Sequence, residues 1–259
     1  MESSAAPAVF ASTRFVLVET SHPGNVGAAA RALKTMGFGR LVLVAPRMPG
    51  VLQDPEAVAM ASGADDVLAA TEVVPTLAEA LQGTHWSLAL TARTREYGPP
   101  RMTPHQAAQV AQAHAVGGEI ALVFGNERTG LSNEDVERCS ALAHIPANPV
   151  YSSLNLAQAV QVLAYELRMR YLDSDGAAIL QDGALGTPAS SDEIEGMFAH
   201  LEHALVALDF LDPHHPKKLM SRLRRLFSRT ALEREEVNIL RGMAKHILQQ
   251  SGRRDTAQD

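Results

Sequence analysis

A chain of 259 residues with 46% hydrophobic content is long enough for one large domain, or a main domain plus a smaller one, around a sizeable core. No apolar run reaches the roughly 18–20 residues that span a bilayer, and the single cysteine, Cys139, excludes an internal disulfide framework and a cysteine-cluster zinc site. The formal net charge of −6 argues against general adhesion to nucleic acid, so any such role must come from a local patch.

Residues 1–12 carry no basic stretch and no cleavage signal and are expected to form a loose tail on a cytoplasmic protein. Residues 14–19 are apolar and rich in β-branched side chains, which predicts a buried strand. Thr20-Ser21-His22-Pro23-Gly24-Asn25 is loop chemistry, and the Ala-rich residues 26–36 predict a helix ended by Gly37. With a second strand over 41–45, this makes a β-loop-α-β unit and implies a parallel sheet with right-handed crossovers.

The alternation continues with helices over 54–61 and 76–81, then a strand over 86–91 that ends in a basic loop with Arg93, Arg95 and Arg101. Residues 103–115 predict a helix with Thr103 at N-cap and Pro104 at N1. A strand over 119–124, a short helix over 133–139 and a last strand over 141–145 follow. After Pro149 the polar Ser152, Ser153 and Asn155 can each cap a long helix whose apolar positions Leu156, Val160, Leu163 and Leu167 fall at helical spacing. No internal repeat is present, and the pattern is that of an α/β domain over residues 13–172.

Residues 173–190, with three glycines, Pro188 and paired serines, read as a linker. Beyond it the chain turns helical over 192–210, 216–227 and 232–250, giving a helical extension at 191–250 and a loose tail at 251–259. The middle helix pairs an apolar face (Leu219, Leu223, Leu226, Phe227) with a basic stripe. From His214 to Thr230 there are six Lys or Arg residues and no acid, so Lys217, Lys218, Arg222, Arg225 and Arg229 are candidates for an RNA-binding surface. His214 and His215 lack the acid or thiol that would complete a metal site, and no metal is expected.

Three loops, near residues 24–31, 125–130 and 148–155, lie beyond strand ends, where open α/β sheets bind ligands. Their glycines allow close backbone approach to a ligand. Gly24-Asn25-Val26-Gly27 does not match a dinucleotide fingerprint or a phosphate loop, and the second loop has no nucleophilic serine.

Taken together, three stretches resemble the three motifs of the SPOUT-class RNA ribose methyltransferases. They are Asn25-x-Gly27-x-x-x-Arg31, Phe124-Gly125-Asn126-Glu127-Arg128-x-Gly130-Leu131-Ser132, and Tyr151-Ser152-Ser153-Leu154-Asn155-Leu156-Ala157. Ser21-His22-Pro23-Gly24-Asn25-Val26-Gly27, together with Ser153-Leu154-Asn155-Leu156-Ala157-Gln158-Ala159 leading to Tyr165-Glu166, is similar to the TrmJ-type branch. The resemblance covers residues 13–172, and the helical extension matches that branch in type and placement.

The resemblance implies a deep trefoil knot, a homodimer, S-adenosylmethionine as cofactor, and methylation of the 2′-hydroxyl of nucleotide 32 (cytidine or uridine) in the tRNA anticodon loop. It assigns cofactor contacts to Leu90, Thr91, Ala92, Gly125, Gly130, Ile145, Ser152, Ser153 and Leu154, with Leu90, Ile145 and Leu154 framing an apolar slot for adenine. It assigns the substrate side to Arg31, Asn25, Glu127 and Asn155, Arg31 reaching a site completed by a second subunit.

Transfer of a methyl group to a ribose hydroxyl requires that the oxygen be positioned in line and its proton removed. Arg31 is either the proton acceptor or an orienting group, and a guanidinium pKa above about 12 favours orientation. Glu127 either bonds Arg31, organises the loop around the cofactor or simply caps a helix, Asn155 either meets substrate or caps its helix, and His22 is read as a loop hydrogen-bonder rather than a base. Two other readings remain, a non-catalytic RNA-binding module and a small-molecule enzyme with a generic nucleotide site. A ribose methyltransferase acting at another RNA position is the variant of the methyltransferase reading.

Overall fold

The computed structural model describes residues 8–92, 101–172 and 187–255. Among these, seven strands form one parallel sheet: β1 (Thr13–Val18), β2 (Arg40–Val44), β3 (Glu72–Val74), β4 (Thr84–Leu90), β5 (Arg101–Met102), β6 (Glu119–Phe124) and β7 (Ala141–Ala143). Their spatial order is β3-β2-β1-β6-β4-β7-β5. Parallel neighbours need crossovers, which put helices on both faces, so the strands read as unbroken apolar runs. β1 is buried along its whole length.

The period of two sorts side chains between two cores. Phe15, Leu17, Leu41, Leu43, Leu88 and Leu122 face the larger one, shared with α2 (Pro23–Thr35), α6 (Pro104–Gly117) and α8 (Leu156–Leu172). Val16, Val18, Val42, Val44, Ala89 and Val123 face the other, covered by α5 (Leu77–Ala80) and α7 (Asn133–Arg138). Arg14 is buried in β1 because its guanidinium donates to the carbonyls of Ala80 (2.7 Å) and Gln82 (3.2 Å) and pairs with Glu119, which Arg40 also holds.

Several expectations shift. The tail is anchored in part, since Ala8–Ala11 form α1 and Phe10 is buried against Phe38 and Tyr171. α2 begins at Pro23, because proline at N1 is preset for a helix, so Gly24 and Asn25 belong to its first turn and not to a loop. Arg101 starts the edge strand β5, while Arg93 and Arg95 lie outside the described residues. α4 (Asp65–Ala69) and the mostly exposed β3 carry too weak a pattern to be anticipated. β7 sits between β4 and β5, and the connection that would arch over it in the expected knot includes residues 93–100, outside the described set.

The glycines of α2 serve helix packing. A Cβ on Gly27 would lie 2.0 Å from the Ala57 carbonyl oxygen of α3 (Pro55–Ala61), and one on Gly24 would lie 2.6 Å from the Glu56 carboxylate. Gly27 therefore lets α3 cross α2, whereas at Gly24 the neighbour is the movable end of the Glu56 side chain.

Of the linker, residues 173–186 lie outside the described set; Ala189 is buried, and Ser190 caps α9 (Ser191–Ala207) in a box with Glu193. α9, α10 (Leu219–Phe227) and α11 (Arg234–Asp255) enclose a small core of Ala189, Met197, Phe198, Leu232 and Val237. α11 runs through Asp255, so the expected tail is helical up to there. α10 starts at Leu219, later than expected, because Lys217 takes a left-handed φ of 52° and breaks the helical run. Ser191 and Asp192 bond Thr84 and Gly83, tying α9 to β4.

Candidate active site

In a parallel sheet all carboxyl ends fall on one edge. β1, β6, β4 and β7 are consecutive in the sheet, so the segments that follow them meet although they are far apart in sequence. The cleft they form is lined by Leu90, Thr91 and Ala92 after β4, by residues 124–130 after β6, and by Ile145, Ser152, Ser153 and Leu154 after β7. All nine residues assigned to cofactor contact lie in its wall.

The loop after β6 has a fixed shape. Asn126 is buried and its Oδ1 accepts from Arg128 N (3.1 Å), Thr129 N (2.7 Å) and Thr129 Oγ1 (2.9 Å). The loop then turns back on itself at Gly130, whose φ of 68° favours glycine. A Cβ on Gly125 would sit 2.1 Å from the Gly130 carbonyl carbon, so only glycine fits there.

Glu127 points the other way, toward the N-terminus of α2. Its carboxylate accepts from Thr20 Oγ1 (2.9 Å), Ser21 N (3.1 Å), Ser21 Oγ (2.9 Å), His22 N (3.3 Å) and Asn25 Nδ2 (2.9 Å). α2 has no side-chain cap of its own, so this distant carboxylate caps it and complements its dipole. Burial pushes the Glu127 pKa up, but hydrogen bonds from Asn25, its own loop backbone, Thr20 and Ser21 outweigh that and lower it to about 2. Glu127 is therefore a permanent anion that organises the loop. The alternative, a bond to Arg31, is not made.

Asn155 caps its helix. Its Oδ1 accepts from Ala157 N (2.9 Å) and Gln158 N (3.3 Å), and its Nδ2 donates to Asn25 Oδ1 (2.8 Å). Ser152 and Ser153, which also suited a cap, line the cleft instead. Asn25 thus joins Glu127 to Asn155, and one hydrogen-bonded chain links the three motifs. His22 contributes its backbone N–H, as a loop hydrogen-bonder.

Arg31 stands apart. It lies six residues beyond Asn25 on α2, roughly 9 Å along the axis, is exposed, and does not line the cleft. Among the described residues its side chain has no ion pair. Phe124, Asn126, Arg128, Thr129, Leu156 and Ala159 also line the cleft; all but Thr129 fall inside the quoted motifs, yet none was assigned a contact there, and neither were Thr20 and Ser21 as partners of Glu127. No cluster of metal-ligating side chains occurs among the described residues.

In the extension, the basic run divides by environment. Arg224 forms a two-point ion pair with Glu195 (2.5 and 2.9 Å) and lies 4.4 Å from the Phe198 ring centroid. Lys217, Lys218, Arg222 and Arg229 are exposed, and Arg225 is half-buried.

The model of the SpoU rRNA Methylase family matches residues 12–165, and that of the tRNA methyltransferase TrmJ C-terminal domain matches residues 192–257. The tRNA (cytidine/uridine/adenosine-2′-O-)-methyltransferase TrmJ of Pseudomonas aeruginosa is 48% identical over 237 residues, covering 89% of this chain and 91% of its own. The tRNA (cytidine/uridine-2′-O-)-methyltransferase TrmJ of Cronobacter sakazakii is 45% identical, covering 90% and 95%. The crystal structure of TrmJ from Z. mobilis superposes with a TM-score of 0.76 at 35% identity, covering 91% of this chain and 98% of that one. A probable methyltransferase from Bordetella pertussis superposes at 0.60 with 53% identity over 63% of this chain and 98% of its own.

Proposed function

The chain belongs to the SpoU rRNA Methylase family and carries the TrmJ C-terminal domain, and from that premise we propose that it methylates the ribose 2′-hydroxyl of nucleotide 32 in the tRNA anticodon loop, accepting cytidine or uridine. The observation that carries this reading is the Glu127–Asn25–Asn155 chain, which couples the wall of the cleft to the helix that bears Arg31.

The cleft fits S-adenosylmethionine by the chemistry of its wall. Leu90, Ile145 and Leu154 offer an apolar slot for a flat heterocycle, while Thr91, Ser152 and Ser153 offer polar groups at its ends. When bound, that cofactor supplies the methyl group. Gly125 and Gly130 keep the loop backbone close and open to it, and Asn126 holds the loop in shape.

Arg31 orients the ribose hydroxyl and the neighbouring phosphate, since a guanidinium is a poor base and a good two-point donor. Because Arg31 lies away from the cleft of its own subunit, the working site takes Arg31 from a second copy of the chain, as a homodimer supplies it. Asn25 and Glu127 position α2, and through it Arg31. The exposed cations of the extension, Lys217, Lys218, Arg222 and Arg229 with Arg225 beside them, dock the tRNA backbone. The reaction belongs to the cytoplasm, where its tRNA substrate is made.

The test is methyl transfer from labelled S-adenosylmethionine to unmodified tRNA transcripts, wild type beside Arg31→Ala, with the product nucleotide mapped. A 2′-O-methyl group at position 32 that the variant fails to make is the expected outcome. Methylation at another position overturns the assignment of the target. No methylation by a dimeric, tRNA-binding protein moves the reading to a non-catalytic RNA-binding module.

A further inference from the structure

Residues 208–218, which join α9 to α10, fold around a hollow of about 630 Å³, within the roughly 300–1,000 Å³ range of small-ligand sites. The buried Leu211 lines it, as do Phe210, Lys217, Lys218 and Arg222. Phe210 is 69% exposed, so its ring face is open to solvent.

The turn that holds it out is strained and braced. Asp209 and Lys217 adopt left-handed φ of 57° and 52°, a conformation that side chains other than glycine rarely take. Phe210 N and Leu211 N both donate to Leu205 O (3.0 and 3.1 Å). The acid in the wall, Asp212, is occupied within the turn, where it accepts from His214 N (2.8 Å) and lies 3.1 Å from His215 Nδ1. An exposed aromatic face beside three cations, in a chain of net −6, is the pairing that single-stranded nucleic acid uses: every base has a face to stack, and every base is followed by a phosphate.

We propose that this hollow is a nucleotide subsite, separate from the catalytic cleft, that takes one unpaired nucleotide of the RNA with its base on Phe210 and its phosphate among Lys217, Lys218 and Arg222. It rests on the tRNA reading above and adds to it a base-stacking interaction that backbone docking alone does not make. An acidic peptide would engage the cations and leave the ring face idle, which is why RNA is the favoured occupant.

The test uses the full chain and three labelled probes, an oligouridylate of about eight nucleotides, an RNA duplex of similar charge and an oligoglutamate peptide. Phe210→Ala should weaken oligouridylate binding by about 5- to 150-fold, the range of one lost base stack. The salt slope and the duplex affinity should stay unchanged, and Phe210→Trp should restore the affinity. Binding within twofold of wild type in Phe210→Ala, or equal losses for all three probes, overturns the proposal. The two readings fail separately. If wild type methylates no tRNA while oligouridylate binding depends on Phe210, the subsite stands and the catalytic reading falls. If tRNA is methylated and oligouridylate ignores Phe210, the reverse holds.

Discussion

Asn25 donates its side-chain amide to the Glu127 carboxylate at 2.9 Å across 102 positions of sequence, and with its other atom accepts from Asn155 at 2.8 Å. Asn25→Ala removes both bonds and breaks the link between Glu127 and Asn155, leaving α2 held to the loop only through Thr20, Ser21 and His22. We expect methyl transfer to fall on the order of 10²-fold, as small misplacements of reacting groups do, with stability lower by about 1–2 kcal/mol. Asn25→Asp sets a second carboxylate against Glu127 and should be the more damaging change near neutral pH. Steady-state kinetics beside thermal melts separate the two effects.

The same carboxylate predicts a pH dependence. The folded-state pKa of Glu127, about 2, lies below the ordinary glutamate value of 4.5, so its stabilisation is fully present above about pH 4.5 and is lost as pH falls toward 2. Urea midpoints taken between pH 5 and pH 2.5 should drop more steeply for wild type than for Glu127→Gln. Parallel curves would mean that the carboxylate is not held as an anion.

Gly125 and Gly27 are crowded for different reasons, and their alanine variants should fail differently. Gly125→Ala drives a methyl group into the Gly130 backbone, which must distort the cleft; cofactor affinity, read by calorimetry, should fall at least tenfold. Gly27→Ala drives one into the Ala57 carbonyl, outside the residues that line the cleft, and should cost about 1–3 kcal/mol of stability by overpacking while the folded fraction keeps its cofactor affinity.

The basic run should separate by variant as well. Replacing Arg222, Arg225 and Arg229 with alanine should weaken tRNA binding and lower its salt slope by about one for each phosphate no longer neutralised, sparing cofactor affinity. Arg224→Ala should instead lower the melting temperature of the extension, because it breaks the Glu195 pair and uncovers Phe198. An unchanged salt slope in the triple variant would remove the docking surface from the proposed function.

Cys139 is buried, and burial pushes its thiol up to about 12. Iodoacetamide at pH 8 should leave the native protein unlabelled and modify it only after unfolding; rapid labelling of the native state would contradict that burial.

The sequence by itself determined the strand-helix alternation, because a strand buried on both faces must be an apolar run and a helix start needs a cap. β6 over Glu119–Phe124 and the Thr103–Pro104 start of α6 follow directly from such local rules. The three motifs were legible too, as residue strings, and so was the wall of the cleft that the resemblance assigned. What each polar residue does was not legible. That Glu127 caps α2 without reaching Arg31, and that Asn155 bonds the start of α8 and Asn25, depended on the strand order β1-β6-β4-β7, which gathers segments from four places in the chain. That Gly27 makes room for α3 could be read only from the packed helices. Local propensity is written in neighbouring residues; hydrogen-bond partners a hundred positions apart are chosen only once tertiary packing has fixed which ends of the sheet lie side by side.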